Sequence, residues 1–225
     1  MLPKADYGMD APYIVMELSI IGLLFCITSL LWFTYLFIGL LLLTLAFLMF
    51  YSSKIGKCRQ RDILINSFNI KGDETILDIG CGKGLLLIAA AKKLISGNAI
   101  GIDIWNKSDL SKNNPQTTNR NAEIEGVDDR VDVKTADMRN LPFDGHSIDI
   151  IMASMAIHNV RSKEDRQKSL HEIYRVLKPE GQIALMDFKY TKEYLTVLKG
   201  MGLKNVTRSG LIFRMFPPVR IVRVN

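Results

Sequence analysis

The segment Glu74–Gly84, which reads ETILDIGCGKG, constrains the fold more than any other part of the chain. A short apolar run ends there in Asp78 and passes directly into a turn with three glycines, ahead of the apolar stretch Leu85–Leu94. Glycine takes positive φ values without a steric penalty, so such a turn can bend sharply and let a ligand approach the backbone. The pattern predicts a strand, a turn and a helix that bind a nucleotide-like cofactor.

A second acidic strand end narrows the class of cofactor. Asn98–Asp103 reads NAIGID, and Asp103 follows Asp78 by about 25 residues, as in a βαβ unit whose second carboxylate binds ribose hydroxyls. The chain has no GxxxxGK[ST] phosphate loop, and Leu87 stands where a dinucleotide-binding GxGxxG motif needs glycine or alanine. A dinucleotide is therefore disfavoured.

With these residues the chain resembles the class I S-adenosylmethionine-dependent methyltransferases, whose first motif is a strand followed by DxGxGxG. Asp103 stands where that family binds the ribose hydroxyls, and Ala136–Met138 stands where it contacts the adenine. The resemblance covers about residues 60 to 225 and implies S-adenosylmethionine as the cofactor. The implied cofactor-binding residues are Asp78, Gly80, Cys81, Gly82, Gly84, Asp103, Ile104, Asp137, Met138 and Ser154.

Two later segments are similar to the branch of the family that includes quinone and sterol methyltransferases. Leu141–Phe143 and Ser147–Asp149 look like its LPF…SFD segment, and Leu170–Gly181 looks like its helix and turn before the fifth strand. The resemblance implies an α/β fold with a Rossmann-like, doubly wound, seven-stranded and mostly parallel sheet.

The order of strands and helices can also be read from the residues. Apolar runs between helical stretches predict strands at Thr75–Ile79, Ala99–Asp103, Arg130–Thr135, Ile148–Ala153 and Gln182–Asp187. The last third predicts a helix at Lys192–Gly200 and closing strands at Lys204–Arg208 and Val219–Val224. We expect the polar segment Asn106–Asn121 to be a loop and helix cap that folds over the cofactor.

Each motif residue also has a structural interpretation. Asp78 can be a helix cap, the glycines a tight turn, and Asp103 an acidic residue that merely ends a strand. The joint order and spacing of these residues favours the cofactor site. Cys81 has no base beside it in the sequence, so we interpret it as the small side chain that the turn requires rather than as a nucleophile.

The second large feature is Leu18–Tyr51, a run of 34 residues without a charged side chain. One membrane crossing needs about 20 residues, and a straight helix over this run would extend about 51 Å against a hydrocarbon thickness of about 30 Å. The length favours two short spans in a helical hairpin over one steeply tilted helix. Trp32–Tyr35 lie near the middle of the run, where aromatic rings suit a membrane interface. We expect a polar head at 1–13, a transmembrane segment at 14–53 and a methyltransferase domain at 54–225.

A cleaved signal peptide and a buried core helix are both disfavoured for this run. A signal peptide has an apolar region of about 7 to 15 residues after basic residues, whereas this run is longer and follows Lys4, Asp6 and Asp10. A buried core helix would need a partner that covers every face of the run.

Charged residues indicate how the chain is oriented. Four cations follow the apolar run before the acidic Asp62, namely Lys54, Lys57, Arg59 and Arg61. The positive-inside tendency then predicts an integral membrane protein with its catalytic domain on the cytoplasmic side. In a hairpin the head Asp6–Tyr13 lies on that side too and can fold against the soluble domain. Some membrane-tethered proteins with this methyltransferase domain are similar, with a DYGxDAP-type head before the apolar segment.

The net charge of +6 is concentrated partly at this flank and partly in a C-terminal stretch with four arginines, Arg208, Arg214, Arg220 and Arg223. Basic surface facing a lipid bilayer with anionic headgroups explains this charge distribution best.

We expect no nucleic acid partner, because arginines and aromatic residues are not interleaved and no RNA-binding module is present. Three scattered cysteines indicate neither a disulfide framework nor a metal site. The sequence carries no signal for an oligomeric state.

Acceptor-side residues are expected after the fourth strand, because ligands of parallel α/β sheets gather beyond the carboxyl ends of the strands. His158 is the candidate general base, although it can equally shape the loop through a backbone hydrogen bond. Asn159 and Asp187 complete the candidate catalytic set, and each also has a structural interpretation, as a loop buttress and as a strand-end cap.

Three functions follow from these residues. The first is methyl transfer from S-adenosylmethionine to a lipid or lipid-like acceptor, because an enzyme held at the bilayer meets membrane-dissolved substrates at high local concentration. The second is methyl transfer to a small apolar thiol, phenol or amine. The third is a membrane module that binds S-adenosylmethionine without turnover.

Overall fold

The central strands are mostly apolar because helices bury them on both faces, the arrangement typical of parallel sheets. The computed structural model describes residues 4–106, 110 and 113–225. The strands are β1 (Thr75–Ile79), β2 (Asn98–Asp103), β3 (Val131–Thr135), β4 (Ile148–Ser154), β5 (Leu177–Asp187), β6 (Thr207–Arg208) and β7 (Arg220–Val224). They form one seven-stranded sheet in the order β3-β2-β1-β4-β5-β7-β6, in which β7 runs antiparallel to β5 and β6. The expected Rossmann-like, mostly parallel α/β sheet is confirmed.

Five helices cover the two faces of this sheet. They are α3 (Lys57–Ile65), α4 (Leu85–Ala91), α5 (Pro115–Glu125), α6 (Lys163–Val176) and α7 (Thr191–Gly200). The first three pack on one face against Ile76 and Met152, and the last two pack on the other against Leu77 and Ile151. Consecutive residues of a strand thus pack into the hydrophobic cores on opposite faces of the sheet, because side chains alternate along a strand.

Several element bounds differ from the predictions, most of them by a single residue. β5 begins at Leu177 rather than Gln182, because Leu177 already pairs with Ile148 of β4. β6 has only two residues, because Gly202 and Asn205 take positive φ values and form a turn before it. In the predicted polar loop, α5 begins at Pro115, capped by the side chain of Asn114. Lys112 of that loop lies outside the described residues.

The apolar run folds into two antiparallel helices, α1 (Pro12–Thr28) and α2 (Thr34–Tyr51), with the bend at residues 29–33. Two glycines let the helices approach closely, since a Cβ on Gly39 would lie 2.8 Å from the carbonyl oxygen of Gly22. Small residues at such a crossing are typical of helix pairs in membranes. The helical hairpin expected from the length of the run is therefore present.

Helix α2 continues without a break into α3 through a π-helical turn at Ser52–Gly56. Of the helices that the structure describes, this continuous helix, Thr34–Ile65, is the one long and apolar enough to cross a membrane; α1 is apolar but shorter. The boundary that we expect at residue 54 lies inside this helix. The hairpin is thus joined rigidly to the first helix of the sheet domain.

Candidate active site

The glycine turn after β1 is shaped by contacts that exclude larger side chains. Gly80, Gly82 and Gly84 all take positive φ values. A Cβ on Gly80 would also lie 2.4 Å from the Cβ of Ala156, so the turn lies directly against the chain that leaves β4. The turn is therefore held beside the acceptor-side loop that the sequence predicts.

Two strand-end carboxylates organise this turn. Asp103 accepts hydrogen bonds from the backbone N–H of Gly82 at 2.9 Å and of Trp105 at 2.6 Å. Asp78 accepts one from the backbone N–H of Leu87 at 3.0 Å. Asp78 and Asp103 thus do accept hydrogen bonds that hold the turn and the helix after it, and their carboxylates keep further oxygen lone pairs for a ligand.

Asp78 is almost fully buried, at 2% exposure. Burial raises the pKa of its carboxyl, the hydrogen bond from the Leu87 N–H lowers it and the charge of Asp103 raises it, so that the pKa is about 7. Among the described residues no cation is paired with it. A buried carboxylate without a protein cation favours a positively charged ligand.

A cavity of about 910 Å³ opens at the carboxyl ends of the strands. Most of the predicted site residues line it, namely Asp78, Gly80, Cys81, Gly82, Asp103, Ile104, Asp137, Met138, Ser154, His158 and Asn159. Gly84 and Asp187 do not line it: Gly84 begins α4 behind the turn, and Asp187 lies behind His158. The structure thus brings the predicted cofactor and acceptor residues to a single cavity.

Two of these residues differ in detail from a simple ligand role. Burial raises the pKa of the Cys81 thiol well above its ordinary value, and the charges of Asp78 and Asp103 add to this effect. Cys81 therefore stays protonated, which agrees with its interpretation as a small turn residue. The carboxylate of Asp137 binds the guanidinium of Arg139, so its charge is already neutralised at the cavity wall.

His158 and Asp187 form a close pair at the other end of the cavity. His158 Nδ1 lies 2.8 Å from Asp187 Oδ1, a close contact without the alignment of a regular hydrogen bond. Asp187 is buried and also accepts from the backbone N–H groups of His158 and Phe188 and from the Tyr194 hydroxyl. With Nδ1 directed at Asp187, Nε2 is the ring nitrogen left for the acceptor.

The polar head folds against the sheet domain, as expected, and also forms a wall of this cavity, which the individual motifs did not predict. The carboxylate of Asp6 lies 3.0 Å from the ammonium of Lys83, a buried residue of the glycine turn. Lys57 Nζ donates to the carbonyl oxygens of Tyr7 and Gly8 and binds Asp10 at 3.1 Å. Lys57, which we expected as a membrane-flanking cation, instead ties the head to the base of the hairpin.

The wall opposite the glycine turn is apolar and belongs to the hairpin and a C-terminal loop. Ile14 of α1, Met49 of α2 and the segment 215–217 all line the cavity. The hydroxyl of Ser52 accepts a hydrogen bond of 2.8 Å from the backbone N–H of Phe216. These two residues are 164 positions apart, so no local pattern in the sequence could reveal the contact.

The residues present fit S-adenosylmethionine. The cofactor carries two cationic centres and a ribose, and the cavity offers the unpaired carboxylate of Asp78, the carboxylate of Asp103 and an apolar floor at Ile104 and Met138. The volume is at the upper end of the range of about 300 to 1,000 Å³ for ligand sites, which leaves room beside a cofactor for part of a second molecule.

Comparison with known proteins shows a likeness to methyltransferases. Residues 77–185 match the family model described as "Methyltransferase domain". A demethylmenaquinone methyltransferase of Lactobacillus johnsonii is 34% identical over 129 residues, which cover 56% of this chain and 49% of that protein. A 2-phytyl-1,4-naphtoquinone methyltransferase of Nostoc punctiforme is 32% identical over 52% of this chain and 48% of its own length. The chain thus spans about half the length of these curated relatives.

Solved structures support the fold. An S-adenosylmethionine-dependent methyltransferase from Aquifex aeolicus superposes with a TM-score of 0.56 at 18% identity, over 73% of this chain and 88% of that one. A geranyl diphosphate methyltransferase in complex with S-adenosylmethionine superposes with a TM-score of 0.59 at 13% identity, over 75% of this chain and 84% of that one. At these identities the likeness extends to the fold alone.

We predict that cofactor affinity rises with pH through the titration of Asp78. With a pKa of about 7, the ionised fraction of this carboxyl rises from about one tenth at pH 6 to about nine tenths at pH 8. The ionised form attracts the cationic cofactor, so Kd should fall about tenfold over this interval in isothermal titration calorimetry. Asp78→Asn keeps any titration of the cofactor itself but removes the carboxylate, so its profile should lack this fall. Parallel profiles for the two proteins would contradict the assignment.

Proposed function

We propose, on the basis of the match of residues 77–185 to a methyltransferase domain, that the chain is an S-adenosylmethionine-dependent enzyme that methylates a lipid or lipid-like acceptor at a membrane surface. The observation that carries the proposal is the continuity of one cavity, which reaches from Asp78 and Asp103 to Ile14 and Met49 of the helical hairpin. A polar group of the acceptor can lie beside the cofactor while its apolar portion lies against the hairpin.

The relatives support an apolar acceptor. Two of them are methyltransferases of demethylmenaquinone and of 2-phytyl-1,4-naphtoquinone, both apolar ring compounds that carry long hydrocarbon chains. We propose an acceptor of the same chemical kind for this chain, with a hydroxylated ring or another polar group at the reacting end.

The chemistry of the chain's own residues follows from their positions. Bound S-adenosylmethionine would supply a methyl group on a sulfonium, which can pass in line to a nucleophile of the acceptor while the sulfur leaves as a thioether. Asp103 and Asp78 orient the cofactor, while the head and the loop at 215–217 exclude water. His158 takes the proton of an acceptor hydroxyl at Nε2, and Asp187 stabilises the imidazolium that forms.

The membrane placement rests on the hairpin and its flank. Large apolar side chains on α1, the bend and α2 are exposed, with Leu30 at 88% and Leu31 at 81%. Exposed apolar surface of this extent marks a membrane or partner contact. Lys57 and Arg61 of the flank are paired within the chain, which leaves Lys54 and Arg59 as the exposed cations that favour the cytoplasmic side.

Transfer of an isotope-labelled methyl group tests the proposal. The full chain in neutral detergent is incubated with methyl-labelled S-adenosylmethionine and a total lipid extract, with Asp103→Ala as the control that lacks the cofactor carboxylate. We expect label in the organic phase for the natural chain alone. Label confined to added water-soluble thiols, phenols or amines would favour the second hypothesis. Tight cofactor binding without any transfer would favour a binding module.

A further inference from the structure

A second cleft lies between α3 and the antiparallel edge of the sheet. It has a volume of about 370 Å³. We define the basic cleft by the residues that matter chemically, namely Gln60, Ile63, Arg208, Ser209, Arg214 and Arg223. We propose that the basic cleft binds the phosphate of an anionic phospholipid headgroup.

The arginines of the cleft lack protein counterions. Five other arginines of the described residues each lie within 4.0 Å of a carboxylate, namely Arg61, Arg130, Arg139, Arg166 and Arg175. Arg208, Arg214 and Arg223 have no such partner among the residues that the structure describes. Guanidinium groups gathered without carboxylates are suited to phosphate, which they bind by paired N–H donors.

Burial increases the need for an anion there. The pKa of Arg208 is lowered first by burial and then by the charge of Arg220, and burial lowers the pKa of Arg223. Arg208 donates to the hydroxyl of Thr191, a neutral group that leaves its charge uncompensated. An oxyanion in the cleft would offset this repulsion and desolvation.

Gln60 supplies an independent observation. It is 1% exposed and lines the cleft, and neither atom of its side-chain amide has a hydrogen-bond partner among the described residues. Leaving a buried polar group unpaired costs about 1 to 3 kcal/mol, so such groups in native structures usually have a ligand or water partner. A phosphate oxygen gives Nε2 an acceptor, and a headgroup hydroxyl gives Oε1 a donor.

The surroundings favour a lipid over free phosphate as the source of this anion. Arg214 lies against the base of the hairpin, since a Cβ on Gly56 would lie 2.1 Å from the Arg214 carbonyl oxygen. Apolar side chains next to the cleft are exposed, with Phe213 at 76%, Leu211 at 48% and Ile63 at 43%. Cations beside exposed aromatic and aliphatic side chains are typical of surfaces that lie in the headgroup region.

The test compares three soluble probes on the full chain in neutral detergent. The probes are dihexanoyl-phosphatidylglycerol, dihexanoyl-phosphatidylcholine and inorganic phosphate, and the two lipids are titrated below their micellar concentrations. Binding is followed by native mass spectrometry and by the shift in Tm. We expect phosphatidylglycerol to bind at least tenfold more tightly than the other two probes. Equal binding of phosphatidylcholine, or of inorganic phosphate, would overturn the proposal of an anionic lipid site.

Substitutions place the binding in the cleft. Arg214→Gln combined with Arg223→Gln should weaken phosphatidylglycerol binding about tenfold or more, because each removes a cation from the bilayer-facing surface. Arg120→Gln removes the same charge from an exposed position on α5 and should change nothing. Arg214→Gln alone alters an exposed side chain and separates loss of the ligand from loss of the fold. Unchanged binding in both cleft variants, with cofactor affinity and Tm retained, would refute the site independently of the proposed methyl transfer.

Discussion

Asp103→Ala is expected to raise the Kd for S-adenosylmethionine and for its demethylated product about 100-fold, since charge-assisted hydrogen bonds donated to a carboxylate contribute about 1.5 to 3 kcal/mol each. Two losses combine in this variant. The ribose hydroxyls lose their acceptor, and the backbone N–H groups of Gly82 and Trp105 lose theirs, so the glycine turn loosens. Isothermal titration calorimetry on the full chain measures the effect.

Two further variants separate these losses. Asp103→Asn keeps a side-chain oxygen for one backbone N–H but removes the charge, so its Kd should fall between those of the natural chain and Asp103→Ala. Asp132→Ala removes a half-exposed carboxylate from the neighbouring strand β3 and should leave Kd unchanged. An Asp103→Ala protein that binds the cofactor normally, or binds NAD instead, would exclude the assigned site.

The strand-end carboxylates and the glycine turn could be predicted, because the local backbone requires the same residue types as the expected ligand chemistry. Asp78 lies one residue before the end of β1 and Asp103 ends the adjacent parallel strand β2, where the register pairs Asp78 with Gly101, two residues before Asp103. Positive φ at Gly80 and Gly82 demands glycine in the sequence itself. Such requirements act over a few residues, so they leave a readable pattern.

The part that could not be predicted depends on contacts between distant segments. Ser52 and Phe216 approach only after the hairpin and the last strands are in place. Lys57 illustrates the ambiguity of a cation near a membrane run: the positive-inside tendency gives it one role, whereas its position in α3 lets it bind the head. A charge in a sequence identifies its need for a partner but not which partner the fold supplies.

The hairpin bend could be predicted only in part. No proline or glycine pair marks it, and the prediction depended on the length of the apolar run and on the aromatic residues Trp32–Tyr35 near its middle. The structure has the bend at residues 29–33, where the Ser29 hydroxyl donates to the carbonyl oxygen of Cys26 and Phe25 packs edge-on against Tyr35. These contacts involve residue types that are also common inside helices, so composition alone could not give the exact residues of the bend.

His158→Gln is expected to lower the turnover number by about 10² to 10⁴, the usual contribution of a general base, while the Kd for S-adenosylmethionine changes by less than about twofold. The reason is the position of the ring. His158 lines the cavity at the end of β4 with Nδ1 at 2.8 Å from Asp187, and none of its described contacts involves Asp78 or Asp103. Turnover is measured with the labelled methyl group and the acceptor found in the lipid extract.

The alternative, in which His158 only shapes the loop, makes a different prediction. Its backbone N–H, not its ring, already donates to Asp187 Oδ2, so a loop held by that bond would survive the substitution with turnover nearly intact.

Asp187→Asn tests the pair. If Asp187 acts through the imidazole, the double variant of His158→Gln and Asp187→Asn should be no slower than His158→Gln alone, because residues that act as a unit are non-additive. His171→Gln, on the exposed face of α6, is the matched control and should retain full turnover. Equal loss of cofactor binding in His158→Gln and Asp103→Ala would move His158 from the acceptor to the cofactor, because a general base acts on the rate of transfer and not on the affinity for the methyl donor.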